Sequence, residues 1–171
     1  MRPVVPRLRQ RDGVTCGPTV AVVAGALLDP DYRAKLADPA WSDAEQGRVH
    51  AAANRLWPRA LGTTPCGLAK VISRRSVGHR VRYGWRLARP GDALADVRRA
   101  VRAGWPVAML IGTLIPRHWV LLVDCDDAGF DCYEPSSGAV RRVPREAVSG
   151  ARLHLLGFPR AFAFVLPRSN I

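Results

Sequence analysis

The chain has 171 residues, about one globular domain, with nearly half of them apolar, and 26 basic against 14 acidic side chains give it a net charge of +12. No stretch approaches the ~20 consecutive apolar residues of a membrane span, and the arginine-rich start, Met1 to Arg9, holds no hydrophobic segment of signal-peptide length. These features predict a single domain over residues 1–171 and a cytoplasmic protein, with export by a route that uses no cleavable signal left open. The four cysteines at 16, 66, 125 and 132 are spaced too irregularly for a disulfide scaffold or a zinc ribbon. Cys125 and Cys132 could meet across a hairpin, but two small strand hydrophobes are the simpler reading.

The first strong element begins at Cys16. From there to Leu28 the sequence is apolar almost all round, the pattern of a buried central helix, with Pro18 tolerated in its first turn. Asp29-Pro30-Asp31 ends it. Residues 42–56 read as an amphipathic helix in which Ser42 caps, Glu45 follows three residues on, and Val49, Ala52, Ala53 and Leu56 share a face. Thr64-Pro65 introduces a further short helix through Ile72. A strand is expected over 81–85, then a helix capped by Asp92 and stopped by Gly104. Beyond Gly104 the pattern turns to strands, at 105–112, 118–124, 130–134, 139–143 and 161–166, with a helical turn at 144–148. Helices first and an antiparallel meander afterwards predict an α+β domain.

Chemistry gathers at four positions. A cysteine at a helix start, as Cys16 is, meets the positive end of the helix dipole, which favours thiolate, the form that attacks carbonyl carbon. Gln10, six residues upstream, can donate to the oxyanion that such an attack creates. His118 opens the apolar strand His118-Trp119-Val120-Leu121-Leu122-Val123, and Glu134-Pro135-Ser136-Ser137-Gly138 forms a turn. The order Gln10, Cys16-Gly17-Pro18 on a helix, Gly104-Trp105-Pro106-Val107 before a strand, His118 and then the Glu134 turn resembles the papain-like cysteine peptidases. Within them it looks most like the bacterial branch that trims double-glycine leaders from bacteriocin precursors, a likeness spanning residues 10–148.

That resemblance implies a papain-like fold with the nucleophile on a buried helix packed against the sheet. It also implies Cys16 as nucleophile, His118 as general base and acid, and Gln10 with the Cys16 amide as oxyanion donors. The residue that orients the histidine falls on Glu134, where the family carries aspartate; Asp131 and Asp124 are the alternatives. The expected reaction is peptide or amide hydrolysis through a thioester on Cys16, with no cofactor. Transfer to an amine, deamidation, or a non-catalytic binding module on the same scaffold are the other outcomes. These 171 residues include no transporter segment, so the expectation is a soluble processing enzyme, a deamidase, an effector or a tailoring enzyme.

Other residues carry weaker signals. His50 is expected on an exposed helix face, His79 in a loop among arginines, and His154 in a strand; none has metal-ligand spacing, and Cys66 has no partner nearby in sequence. Trp119 either walls the substrate cleft or belongs to the core. The arginines occur as scattered pairs such as Arg74-Arg75 and Arg98-Arg99, with only Lys35 and Lys70 as lysines. That pattern suits a solvated surface or an acidic partner, and no nucleic-acid-binding motif accompanies it.

Overall fold

The computed structural model describes residues 3–54 and 62–168, apart from the side chain of Val77. Helix α1 (Cys16–Leu28) is buried at every position except Leu27, as an all-apolar run demands. Asp29 leaves helical geometry and at once starts α2 (Pro30–Lys35), its carboxylate accepting from the amides of Asp31 and Tyr32. The proline that ends one helix thus serves as the first residue of the next.

Helix α3 (Pro39–Ala53) starts earlier than expected. Asp38, not Ser42, is the cap, and the Ser42 hydroxyl instead donates to Leu36 O. The buried face is also displaced: Ser42, Glu45, Gln46, Val49 and His50 face inward, so His50 is buried rather than exposed. A mostly polar face can be buried here because its groups find partners. Gln46 accepts from Thr19 Oγ1 at 2.8 Å, and Glu45 accepts from Tyr32 Oη at 2.8 Å and pairs with Arg75. Leu56 lies outside the described residues.

Helix α4 (Pro65–Arg75) is capped by Thr64, as its sequence indicates. Strand β1 (Tyr83–Leu87) follows. Helix α5 (Ala95–Arg102) begins after Leu94, which is left-handed at φ 55° while the Asp92 carboxylate accepts from its amide. The remaining elements are β2 (Val107–Gly112), β3 (Pro116–Cys125), β4 (Gly129–Glu134), β5 (Ala139–Pro144), α6 (Arg145–Ser149) and β6 (Arg160–Pro167). His154 sits in a 3-10 turn over His154–Leu156, not in a strand, and Cys125 and Cys132 are both free thiols.

The strands form one antiparallel sheet in the order β1-β6-β2-β3-β4-β5. β2 to β5 are the expected meander, but the last strand enters between β1 and β2 instead of closing an edge. The sheet separates two cores. On one face α1 and α4 pack Val20, Val22, Leu68 and Ile72 against Trp119, Leu121 and Tyr133; on the other α5 and α6 cover Met109, Val120, Leu122 and Phe164. Burying both faces explains why β2 and β4 are buried at every position rather than alternating.

Candidate active site

Residues 12–15 make a tight turn that delivers Cys16 to the helix start. The Asp12 carboxylate accepts from Val14 N at 3.0 Å, and Asp12 N donates to Thr15 Oγ1 at 3.1 Å. The Val14 amide, the largest influence, holds the Asp12 carboxyl below its usual range. The helical ladder of α1 opens with Thr19 N donating to Thr15 O, and Pro18 has no N–H. Cys16 N–H and Gly17 N–H therefore have no partner in the helical ladder of α1, and they lie beside a sulfur on a residue only 4% exposed.

His118 stands near the start of β3, across from Ile111 of β2. Its Nε2 lies 2.8 Å from Glu134 Oε1, which leaves Nδ1 for the Cys16 sulfur that also interacts with the ring. Burial opposes charge on the imidazole, but hydrogen bonding to Cys16 and Glu134 outweighs it and raises the pKa to about 9. Phe158 closes one side of the ring, with centroids 5.9 Å apart.

Glu134 is the carboxylate that meets the histidine. Asp131 instead pairs with Arg142 at 3.0 Å. The turn after Glu134 folds back onto its side chain. Oε1 accepts from Ser136 N at 2.8 Å; Oε2 accepts from Ser136 Oγ at 2.7 Å, Ser137 N at 3.0 Å and Ser137 Oγ at 2.7 Å. Burial alone would raise this carboxyl. The bonds from His118, Ser136 and Ser137 overcome it and hold the group far below the ordinary carboxylate range.

Gln10 is brought to the site by its backbone, whose N–H donates to Pro135 O at 2.8 Å. The neighbouring segment is clamped as well: Tyr133 Oη donates to Leu8 O, Arg9 Nε to Ser137 O at 3.0 Å and Gln46 Nε2 to Arg9 O at 3.2 Å. The Gln10 amide turns toward the 12–15 turn, where Nε2 donates to Asp12 O at 2.7 Å, and Oε1 is buried without a hydrogen-bond partner among the described residues. One Nε2 hydrogen remains after the bond to Asp12. The clamp residues Tyr133 and Gln46 and the two serines are contributors that sequence reasoning missed.

A cleft of about 200 Å³ opens at Cys16, walled by residues 62–65 on one side and Pro116, Arg117 and Trp119 on the other. Trp119 is core and cleft wall at once, 2% exposed and lining the cleft while its Nε1 donates to Thr63 O at 2.8 Å and fixes the opposite wall. Gly17 permits this closeness, since a Cβ there would stand 2.6 Å from Thr63 Cβ. Asn54 secures the same wall through Gly62 O and Thr63 Oγ1. Elsewhere, His79 Nε2 lies 2.8 Å from Leu28 O with the ring edge on Trp105, a packing role. Among the described residues no group of three His, Cys, Asp or Glu could share a metal ion, and no helix is long and apolar enough to cross a membrane.

No protein-family model matches the chain, and no curated protein matches it. Solved structures do. The chain is similar to a double-glycine motif protease from an AMS/PCAT transporter, solved with its leader peptide, at 15% identity and TM-score 0.51, covering 98% of this chain and 94% of that one. It is similar to a protein described as a C39-like peptidase from Bacillus anthracis at 13% identity and TM-score 0.59, covering 96% and 94%. It is also similar to the peptidase domain of Streptococcus ComA, a bifunctional ABC transporter of a quorum-sensing pathway, at 16% identity and TM-score 0.51, covering 94% and 97%. At such identities what is shared is the fold. The chain has the α+β papain-like fold of the double-glycine, C39-like peptidase domains.

Proposed function

We propose that the protein is a cysteine peptidase that cleaves a peptide bond through a thioester on Cys16. The observation that carries this reading is the contact of His118 Nε2 with Glu134 at 2.8 Å while the same ring interacts with the Cys16 sulfur. With a pKa near 9, His118 is mostly protonated at neutral pH, so it faces the sulfur as an imidazolium and stabilises the thiolate. The thiolate attacks the carbonyl carbon. The oxyanion is met by the Cys16 amide and the remaining Nε2 hydrogen of Gln10. His118 then gives its proton to the leaving amine, and water hydrolyses the thioester with His118 as base. Glu134 keeps Nδ1 directed at the sulfur throughout.

The chain contains its own control, since Cys66 is exposed while Cys16 is buried. Iodoacetamide labelling at pH 6, read by mass spectrometry, is expected to modify Cys16 at least tenfold faster than Cys66 despite that burial. His118→Ala is expected to reverse the order. Labelling of Cys16 no faster than Cys66 in the native protein would overturn the reading.

A further inference from the structure

The insertion of β6 between β1 and β2 brings one more side chain to the histidine of the site. Ile111 of β2 pairs with His118 of β3 on one side and with Ala161 of β6 on the other. Three residues before Ala161 stands Phe158, whose ring centroid lies 5.9 Å from that of His118 with the two planes inclined by 35°. That separation is within the range of interacting aromatic pairs.

The ring is held there by its own segment. After α6 the chain turns back: Arg152 N donates to Ala147 O at 2.9 Å, and Leu153 N donates to Pro159 O at 3.0 Å, which closes the segment on itself. Leu153 and Leu156 are buried in the core on the α5 and α6 side of the sheet. Gly157 ends the 3-10 turn in the left-handed region at φ 88°, and its N–H donates to His154 O at 2.9 Å. Phe158 follows on this braced loop and packs against the same core.

The imidazole already has both nitrogens in use, Nε2 toward Glu134 and Nδ1 toward Cys16. Each of these contacts requires one orientation of the ring, and a wall beside it removes rotations that would break them. The site is also closed to water, with the His118 and Glu134 side chains 12% and 7% exposed. The titratable groups that meet the imidazole are Cys16 of α1 and Glu134 of β4, whereas Arg152, His154 and Arg160 on the Phe158 segment are exposed.

Resting on the peptidase reading, we propose that Phe158 is a positioning residue for the reaction, its ring holding the His118 imidazole in the orientation that joins Cys16 to Glu134 and keeping water from that contact. It acts through His118 and takes no part in bond making.

Phe158→Leu keeps an apolar side chain and removes the ring, whereas Phe158→Tyr keeps the ring. Protonation of His118 is followed by NMR of its imidazole, identified by its absence in His118→Gln, and cleavage is measured in parallel. An imidazole free to leave its two partners moves toward its ordinary value. The His118 midpoint in Phe158→Leu is therefore expected to fall from about 9 toward 6.5 by about half a pH unit or more, about a threefold change in proton affinity. Its kcat is expected to fall about threefold or more with KM unchanged, while Phe158→Tyr keeps the native midpoint and kcat. Should urea unfolding show that Phe158→Leu does not fold, Phe158→Met makes the same comparison.

A native midpoint or a native kcat without the ring, or a loss in Phe158→Tyr as large as in Phe158→Leu, would overturn the proposal. The titration needs no turnover, so failure of the peptidase reading appears as absent cleavage by the native protein, and failure of the Phe158 role as a midpoint that does not move.

Discussion

Glutamate reaches one methylene farther than aspartate, and at this site the extra length is absorbed by the turn that follows it. Ser136 and Ser137 each give an amide and a hydroxyl to the Glu134 carboxylate, leaving Oε1 at 2.8 Å from His118. Aspartate at this position would withdraw from both the cradle and the ring. Glu134→Gln removes the charge that helps raise His118, so the alkaline limb of the kcat/KM profile should move from near pH 9 down toward 6.5. The loss of rate at neutral pH should be about 10²–10⁴-fold. Ser136→Ala with Ser137→Ala should move the same limb in the same direction by a smaller amount, read in the same pH–rate titration. Cys16, His118 and Glu134 could be singled out in the sequence because their order and local context resemble those of the papain-like cysteine peptidases. The serine cradle could not, since Pro135-Ser136-Ser137-Gly138 looks like any turn until its hydroxyls are seen to face inward. The orientation of Gln10 was likewise hidden: it depends on Asp12 O and on a backbone bond to Pro135, neither of which has a side-chain signature.

The elements meet most tightly where α1 passes the wall at 62–65. Gly17→Ala would place a Cβ 2.6 Å from Thr63 Cβ and 3.2 Å from the Trp119 ring, neither of which can swing freely. A cost of about 1–3 kcal/mol in urea unfolding is expected from such overpacking, together with weakened cleavage as the wall moves off Trp119. The clamp on the N-terminal segment behaves differently. Tyr133→Phe deletes the bond to Leu8 O without creating a void, so stability should fall by about 1 kcal/mol, while kcat should fall further because Gln10 is less firmly held. Comparing urea midpoints with kcat separates the two.

Helix α1 and the meander were readable because an all-apolar run and short apolar stretches bounded by turn residues need little context. The face of α3 was not. Periodicity favours Val49, Ala52 and Ala53, yet Glu45, Gln46 and His50 are buried because Thr19, Tyr32 and Arg75 arrive from other elements to meet the polar groups. Nor does any local pattern announce that β6 inserts between β1 and β2, a pairing set by long-range contacts.

Across the whole molecule, the site's electrostatics should shape the dependence of stability on pH. Among the described residues five carboxyls sit below their ordinary values in the folded protein: Asp12 chiefly through the Val14 amide, Asp96 chiefly through Arg86, Asp126 chiefly through the Gly129 amide, Asp127 chiefly through Arg102, and Glu134, where hydrogen bonds from His118 and the two serines outweigh burial. A lowered carboxyl contributes stability above its unfolded pKa, and that contribution disappears as pH falls through the folded value. Protonation also leaves 26 basic side chains with fewer acidic ones to offset them, so self-repulsion adds to the acid loss. His118 acts in the opposite sense. Raised from 6.5 to about 9, it stabilises the fold fully below pH 6.5 and loses that contribution as pH climbs to about 9. The difference corresponds to at most about 3 kcal/mol. Urea midpoints should therefore be highest between about pH 5 and 6.5, fall steeply below 4.5, and decline gradually on the alkaline side. Glu134→Gln should be less stable at pH 6 and show a shallower alkaline decline, because His118 has lost one of the partners that raises it. Parallel curves for the two proteins above pH 6.5 would mean that the His118–Glu134 contact is not what couples the site to the fold.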